Sequence, residues 1–247
     1  YSFDAAQEAF QALQAGDTQD VVINYTVTDS EGATSTNTLT LTVTGTDDAP
    51  VVAIADGTEN DLLATQVFGA EDAITDVDGF GGSATVTLAY GEAVSVANDN
   101  EFGRPTFKGA TEFRVVRDGN SFTLIAEGGE NGFEADTAIG TVTPVGLANA
   151  LDAEGDVIAN EYTVTGYTLE LNDNVTPEVL TALLQEWNVQ QAEDGSNTQL
   201  TVSIASEGGA EPVEFVRNIK GEDGGNVTLT DAETDPLEAE LTAGALA

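Results

Sequence analysis

Two stretches of this chain alternate apolar residues with threonine at a period of two, and they set the class of fold open to it. Val21-Val-Ile-Asn-Tyr-Thr-Val-Thr28 and Thr36-Asn-Thr-Leu-Thr-Leu-Thr-Val-Thr44 flank the turn Asp29-Ser-Glu-Gly-Ala-Thr34. The pattern predicts an antiparallel hairpin with one buried face. Upstream, Asp4 to Gly16 reads as a short helix, with Asp4 as N-cap, Ala6, Phe10 and Leu13 as its apolar stripe and Gly16 as C-cap. Gly45-Thr-Asp-Asp-Ala-Pro50 closes this unit, because Pro50 cannot donate to a central ladder and the acids resist pairing.

Beyond that boundary the strands are short and numerous. Val51–Ala55, Thr85–Tyr90, Phe113–Arg117, Ser121–Ala126, Tyr162–Leu171 and Gln199–Ala205 are the clearest. A tight hairpin is expected at Arg117-Asp-Gly-Asn-Ser121 and another turn at Asn131-Gly132. Thr176 to Trp187 predicts one good helix, capped by Thr176, with Pro177 in its first turn and Val179, Leu180, Leu183, Leu184 and Trp187 buried. The order helix, then strand recurs as a degenerate internal repeat. No segment supplies a βαβ unit or a phosphate-binding glycine loop. The expected architecture is all-β: tandem β-sandwiches of cadherin-like or Ig-like type, with one or two short helices. Three parts are expected: a partial domain at 1–50, a larger sandwich at 51–220, and a segment at 221–247 that either starts a further repeat or supplies edge strands.

Charge narrows the function. The 247 residues hold 44 Asp and Glu against 6 Lys and Arg, a formal net charge of −38, with no His, Cys or Met. Zinc fingers, haem histidine ligation, Ser-His-Asp or Cys-His catalysis and disulfides are thereby excluded. Nucleic acid and anionic membrane surfaces would be repelled. No run of about 18 apolar residues exists to span a bilayer. The opening at Tyr1, with neither Met nor a signal peptide, points to a fragment of something longer. Self-repulsion of this size needs an offset: bound divalent cations, high external salt, or solvation alone. Paired carboxylates carry almost no catalytic information among so many acids, and no enzyme is expected.

The first fifty residues resemble a known family. Tyr25-Thr-Val-Thr-Asp-Ser-Glu-Gly-Ala33 and Leu41-Thr-Val-Thr-Gly-Thr-Asp-Asp-Ala-Pro50 are similar to the C-terminal half of a VCBS-type repeat. These are the cadherin-like extender domains of giant RTX-type bacterial adhesins. Thr75-Asp-Val-Asp-Gly79 and the helix from Thr176 resemble the same superfamily more loosely. The resemblance implies a secreted, bacterial cell-surface location and an array stiffened by several Ca²⁺ ions. It also implies neighbouring extender domains of the same chain, a monomer, and a peptide-binding module at 51–220. The expected partner is a peptide or protein on another cell surface, with a glycan as the alternative; a purely structural spacer is the rival reading.

Candidate sites follow from oxygen-rich turns. Asp76 and Asp78, at i and i+2 before Gly79, can face one ion, with Glu71 and Asp72 near enough in sequence to contribute; the EF-hand positions are absent. The boundary acids Asp47 and Asp48 are a second candidate, with Asp29 and Glu31 from the hairpin turn and Asp56, Glu59 and Asp61 just beyond. Asp29 could instead belong to the opposite pole. The turns at Asp152–Asp156, Asn172–Asn174 and Asp231–Asp235 read first as Asx-turns or caps. The basic residues cluster, with Arg104, Lys108, Arg114 and Arg117 close together. Each could simply pair with a nearby acid. The sharper reading is a carboxylate-binding spot at Arg104 and Lys108, beside Asp99 and Asn100. Trp187 is expected in the core rather than as a sugar platform.

Overall fold

The computed structural model describes residues 8–55, 62–63, 66–96, 103–107, 112–128, 136–152, 154–188, 197–207 and 209–219. The expectations placed on Asp4, Asp56, Glu59, Asp61, Asp99, Asn100, Lys108, Asn131, Gly132 and 221–247 lie outside these residues.

The described chain is all-β with two short helices. A helical turn α1 (Glu8–Gln11) leads into strands β1 (Thr18–Thr28) and β2 (Thr34–Thr44). After the linker come β3 (Val51–Ala53), β4 (Leu62–Leu63), β5 (Ala73–Thr75) and β6 (Ala84–Val96). Next are β7 (Phe113–Asp118), β8 (Ser121–Ala126), β9 (Thr137–Val145), β10 (Ala148–Leu151) and β11 (Val157–Leu171). Helix α2 (Pro177–Glu186), β12 (Thr198–Ser206) and β13 (Val213–Ile219) follow.

β1 and β2 pair along their whole length, from Thr18 opposite Thr44 to Thr28 opposite Thr34, and form a sheet of their own. The expected burial of one face is not observed. Val21, Ile23, Tyr25 and Val27 do share a face with Leu39 and Leu41, but Tyr25, Leu39 and Val27 are 39%, 47% and 59% exposed. Only the foot of that face is covered, where Val21, Ile23, Leu41 and Val43 are half-buried and Val43 shares a cleft with Phe10; among the described residues nothing of the core cluster reaches the outer half. The foot of the hairpin is tight. The Gly45 amide donates to the Asp17 carbonyl at 2.8 Å, and a Cβ at Gly45 would collide with the carbonyls of Leu13 and Gln14. Only glycine lets β2 leave the pair this close to the end of the preceding helix.

β3 and β5 pair antiparallel as a small sheet of their own, and the other nine strands build one sheet in the order β4-β13-β12-β6-β11-β9-β8-β7, with β10 added to β11. Its pairs are antiparallel except β13 with β4. Alternation works here as the sequence predicts. Val86, Leu88 and Tyr90 of β6, Leu200, Val202 and Ile204 of β12, and Phe122 and Leu124 of β8 are buried, and all belong to one cluster. Removing each such side chain from water contributes on the order of 1.5–3 kcal/mol. The β7–β8 hairpin turns through two residues, led by Gly119 at φ 63°.

Helix α2 closes that core. Thr176 caps it, its Oγ1 accepting from the Val179 amide at 3.4 Å, and Pro177 stands in the first turn. Val179, Leu180, Leu183 and Leu184 are buried. Trp187, fully buried, lies just past the helix and stacks edge-on with Phe107 and Tyr167 at 5.4 and 5.3 Å. It is a core residue, as its place on the stripe predicts. Among the described residues no helix is long and apolar enough to cross a membrane.

Candidate metal centre at the linker

The linker that leaves β2 runs straight into the turn that follows β5, and both are acidic. Asp47 and Asp48 come from the first, Asp76 and Asp78 from the second. Gly79, at φ 76°, makes the bend that turns the second segment back. The Asp48 amide donates to Asp78 Oδ2 at 3.3 Å, and Gln14 Nε2, from the foot of the hairpin, donates to the Asp78 carbonyl at 3.0 Å. Asp47 Oδ2 accepts from the Ser206 hydroxyl at 2.6 Å and from the Ala210 amide at 3.0 Å. Three carboxylates from segments far apart in sequence thus reach one corner of the molecule.

Their remaining oxygens are the notable feature. Asp47 Oδ1, Asp78 Oδ1 and both oxygens of Asp76 are out of water without a well-formed hydrogen bond, the Asp78 amide and carboxyl being the groups beside the Asp76 carboxyl. Asp78 is only 7% exposed. An ionised carboxylate held so is costly unless it is paired, protonated or coordinated to a metal. Burial, then the neighbouring Asp78 carboxyl, then the charges of Asp78 and Asp47 push the Asp76 carboxyl up to about 7. Hard oxygen donors of this kind suit Ca²⁺, which takes six to eight oxygens at about 2.3–2.6 Å. Among the described residues no three acidic side chains are grouped closely enough to hold a metal ion as they stand.

The other expected ligands are placed elsewhere. Asp72 does not join the corner. Its Oδ1 accepts from the Ala55 amide at 2.9 Å, and its Oδ2 accepts from the Gly69 amide at 2.8 Å and from Arg217 Nη2 at 3.3 Å. It is the acid of a buried ion pair, its side chain 1% and that of Arg217 2% exposed. Asp29 caps its own turn, Oδ1 accepting from the Glu31 and Ala33 amides at 2.9 and 2.8 Å. The full length of the hairpin separates it from Asp47, roughly 33 Å at 3.3 Å per residue. The Asp152 turn is likewise an Asx-turn, Oδ1 accepting from the Glu154 and Asp156 amides. Asp48 lines a cleft of about 300 Å³ with Phe10, Gln11, Val43 and Thr46.

The basic residues divide in the same way. Arg114 pairs with Glu127 at 2.8 Å and Asp136 at 2.6 Å, and Arg117 donates to the Gly119 carbonyl at 3.0 Å. Arg104 is half-buried and gives Nη2 to the Val115 carbonyl at 3.3 Å. Sequence reasoning missed Ser206, Ala210 and Gln14 at the corner and Arg217 as the partner of Asp72. Ser206 stands 159 residues from Asp47, and no local pattern links them. Arg217 lies in a short strand, Val-Glu-Phe-Val-Arg-Asn-Ile, where a buried base breaks the apolar alternation; that break was the available signal. No family model, curated protein or solved structure matches the chain.

Proposed function

We propose that the chain is a calcium-rigidified module of a large bacterial surface adhesin. In this reading Ca²⁺ is held by Asp47, Asp76 and Asp78 at the joint between an extender-type hairpin unit and the larger sandwich. The observation that carries it is the set of buried carboxylate oxygens at this corner, where Asp47 Oδ1 and Asp78 Oδ1 have no donor and the Asp76 carboxyl has only Asp78 beside it. An ion there would satisfy all of them at once, and water would complete the coordination. Bound to both the linker and the post-β5 turn, it would fix the angle between the two units. Further support comes from the VCBS-like motif, whose terminal Asp pair includes Asp47. Peptide capture by the larger unit is proposed on the resemblance alone. The Arg104 guanidinium is engaged with the Val115 carbonyl, and the joint, rather than a ligand pocket, carries the reading.

The test is a melting curve in chelator and in millimolar Ca²⁺, each at low and at molar NaCl. A ligand at a hundredfold its Kd adds about 2.7 kcal/mol to the folded state. For a chain of this size that is a rise in Tm of roughly 5–10 °C. The rise should persist when Ca²⁺ is compared at matched ionic strength. If only molar NaCl raises Tm, screening of the net charge replaces metal binding as the offset, and the proposal fails.

A further inference from the structure

The two oxygens of Asp47 have different neighbours. Oδ1 is buried without a donor, whereas Oδ2 holds the Ser206 hydroxyl at 2.6 Å and the Ala210 amide at 3.0 Å. Ser206 is the last residue of β12 and Ala210 lies in the connection from β12 to β13, both far in sequence from the linker. That connection is tied in turn to the segment that runs from the other acids into β6. Glu207 donates its amide to the Ser83 carbonyl at 2.9 Å, and its Oε2 accepts from the Ser83 amide at 3.0 Å and the Ser83 hydroxyl at 2.9 Å. Ser83 lies five residues after Asp78. The corner is therefore a closed loop of contacts: linker to β12–β13 turn, that turn to the start of β6, and the start of β6 back to Asp78 and the linker.

We infer that Ser206, with the Ala210 amide, is a positioning residue for the joint cation, and that loading the ion stiffens the β12–β13 turn. This rests on the calcium reading above. A hydroxyl bonded to a carboxylate makes a short, charge-assisted bond that fixes the side-chain rotamer. With Oδ2 held by two donors, Asp47 offers Oδ1 alone, as a one-oxygen ligand in a set direction. Partners of this kind behind a ligand commonly change metal affinity by 10- to 100-fold. The same bonds work in reverse, since an ion that immobilises Oδ1 removes the freedom of Asp47 and of whatever Oδ2 holds.

The experiment is a calorimetric Ca²⁺ titration of the full chain as wild type, Ser206→Ala and Ser206→Thr, with hydrogen exchange at the Ala210 amide in chelator and in Ca²⁺. Ser206→Ala should weaken binding about tenfold, Ser206→Thr should recover most of it, and the Ala210 amide should exchange more slowly once Ca²⁺ is bound. Wild type binding Ca²⁺ with Ser206→Ala equal to it overturns this inference alone. Wild type binding no Ca²⁺ overturns the calcium reading and this inference with it. Should Ser206→Ala not fold, the wild-type exchange decides: slower exchange at Ala210 supports the coupling, and an unchanged rate refutes it.

Discussion

Asp76→Asn is expected to raise the melting temperature in chelator and to abolish the rise produced by Ca²⁺. Both effects have one cause. The Asp76 carboxyl sits at about 7 in the folded protein against 3.8 unfolded, raised first by burial and then by Asp78 and Asp47. Between those values the folded state binds the extra proton, so stability falls as pH rises. The contribution is fully present below 3.8 and lost as pH climbs through about 7. In chelator, wild type should therefore melt a few degrees higher at pH 5 than at pH 8, after subtraction of the same difference in Asp76→Asn. The subtraction matters, because general repulsion among the other acids also grows with pH in both proteins. In Ca²⁺ the wild-type slope should reverse, since the ion competes with the proton and favours the ionised acid. Melting curves of both proteins at the two pH values, with and without Ca²⁺, provide the check. An Asp76→Asn protein that keeps the full Ca²⁺ increment would remove Asp76 from the ligand set.

Arg217→Leu should be the most damaging single substitution outside the apolar core. Its guanidinium faces Asp72 in a place closed to water, and Asp72 also anchors the Ala55 and Gly69 amides. Removing the base leaves a buried carboxylate with no counter-charge, a loss of about 3–5 kcal/mol. At this chain length the melting temperature should fall by roughly 10 °C. Combining Arg217→Leu with Asp72→Asn should restore part of that loss. The amide oxygen can still accept from one of the two backbone amides that Asp72 anchors, Ala55 or Gly69, and the uncompensated charge is gone. Equilibrium urea unfolding of the single and double variants measures both steps. A double variant no better than Arg217→Leu alone would show that lost packing, not the stranded charge, sets the cost.

The fold was legible where a strand keeps one face in the core. β6, β8 and β12 follow their period of two to within a few residues, and α2 follows its stripe, its Thr176 cap and its Pro177 start. Burial of the β1–β2 hairpin was not legible, because alternation records which face is apolar and not whether anything lies on it. β9 escaped notice because Gly140 and Pro144 interrupt its pattern. Gly140 is there for close approach, since a Cβ would strike the backbone of Glu170 and Leu171 on β11. Pro144 lies beyond the last β8 pair, at Val142, so on that side its missing amide breaks no ladder bond.

The candidate site was legible in its parts and not in its assembly. Asp-x-Asp-Gly at 76–79 and the acid pair at 47–48 are recognisable as oxygen-rich turns, and the structure brings Asp47, Asp76 and Asp78 together. Which of the expected acids meet at the linker and which lie elsewhere is decided by long-range contacts. Asp72 looks like a neighbour of Asp76 in sequence, yet Arg217, 145 residues away, claims it. Asp29 looks like a linker acid, yet its own turn amides use it. In a chain with 44 acids, residue type gives almost no discrimination; what narrows the choice is which carboxylate oxygens are buried without a donor, and of these Glu186 Oε2 stands alone while Asp47, Asp76 and Asp78 lie together.

The most direct measurement of the joint is anomalous diffraction from crystals of the full chain grown in Ca²⁺ or soaked in a lanthanide. The account predicts a peak within about 2.3–2.6 Å of Asp47 Oδ1, Asp78 Oδ1 and at least one oxygen of Asp76. Density for ions only at other acids, with these four oxygens bonded to protein donors or to water, would contradict it.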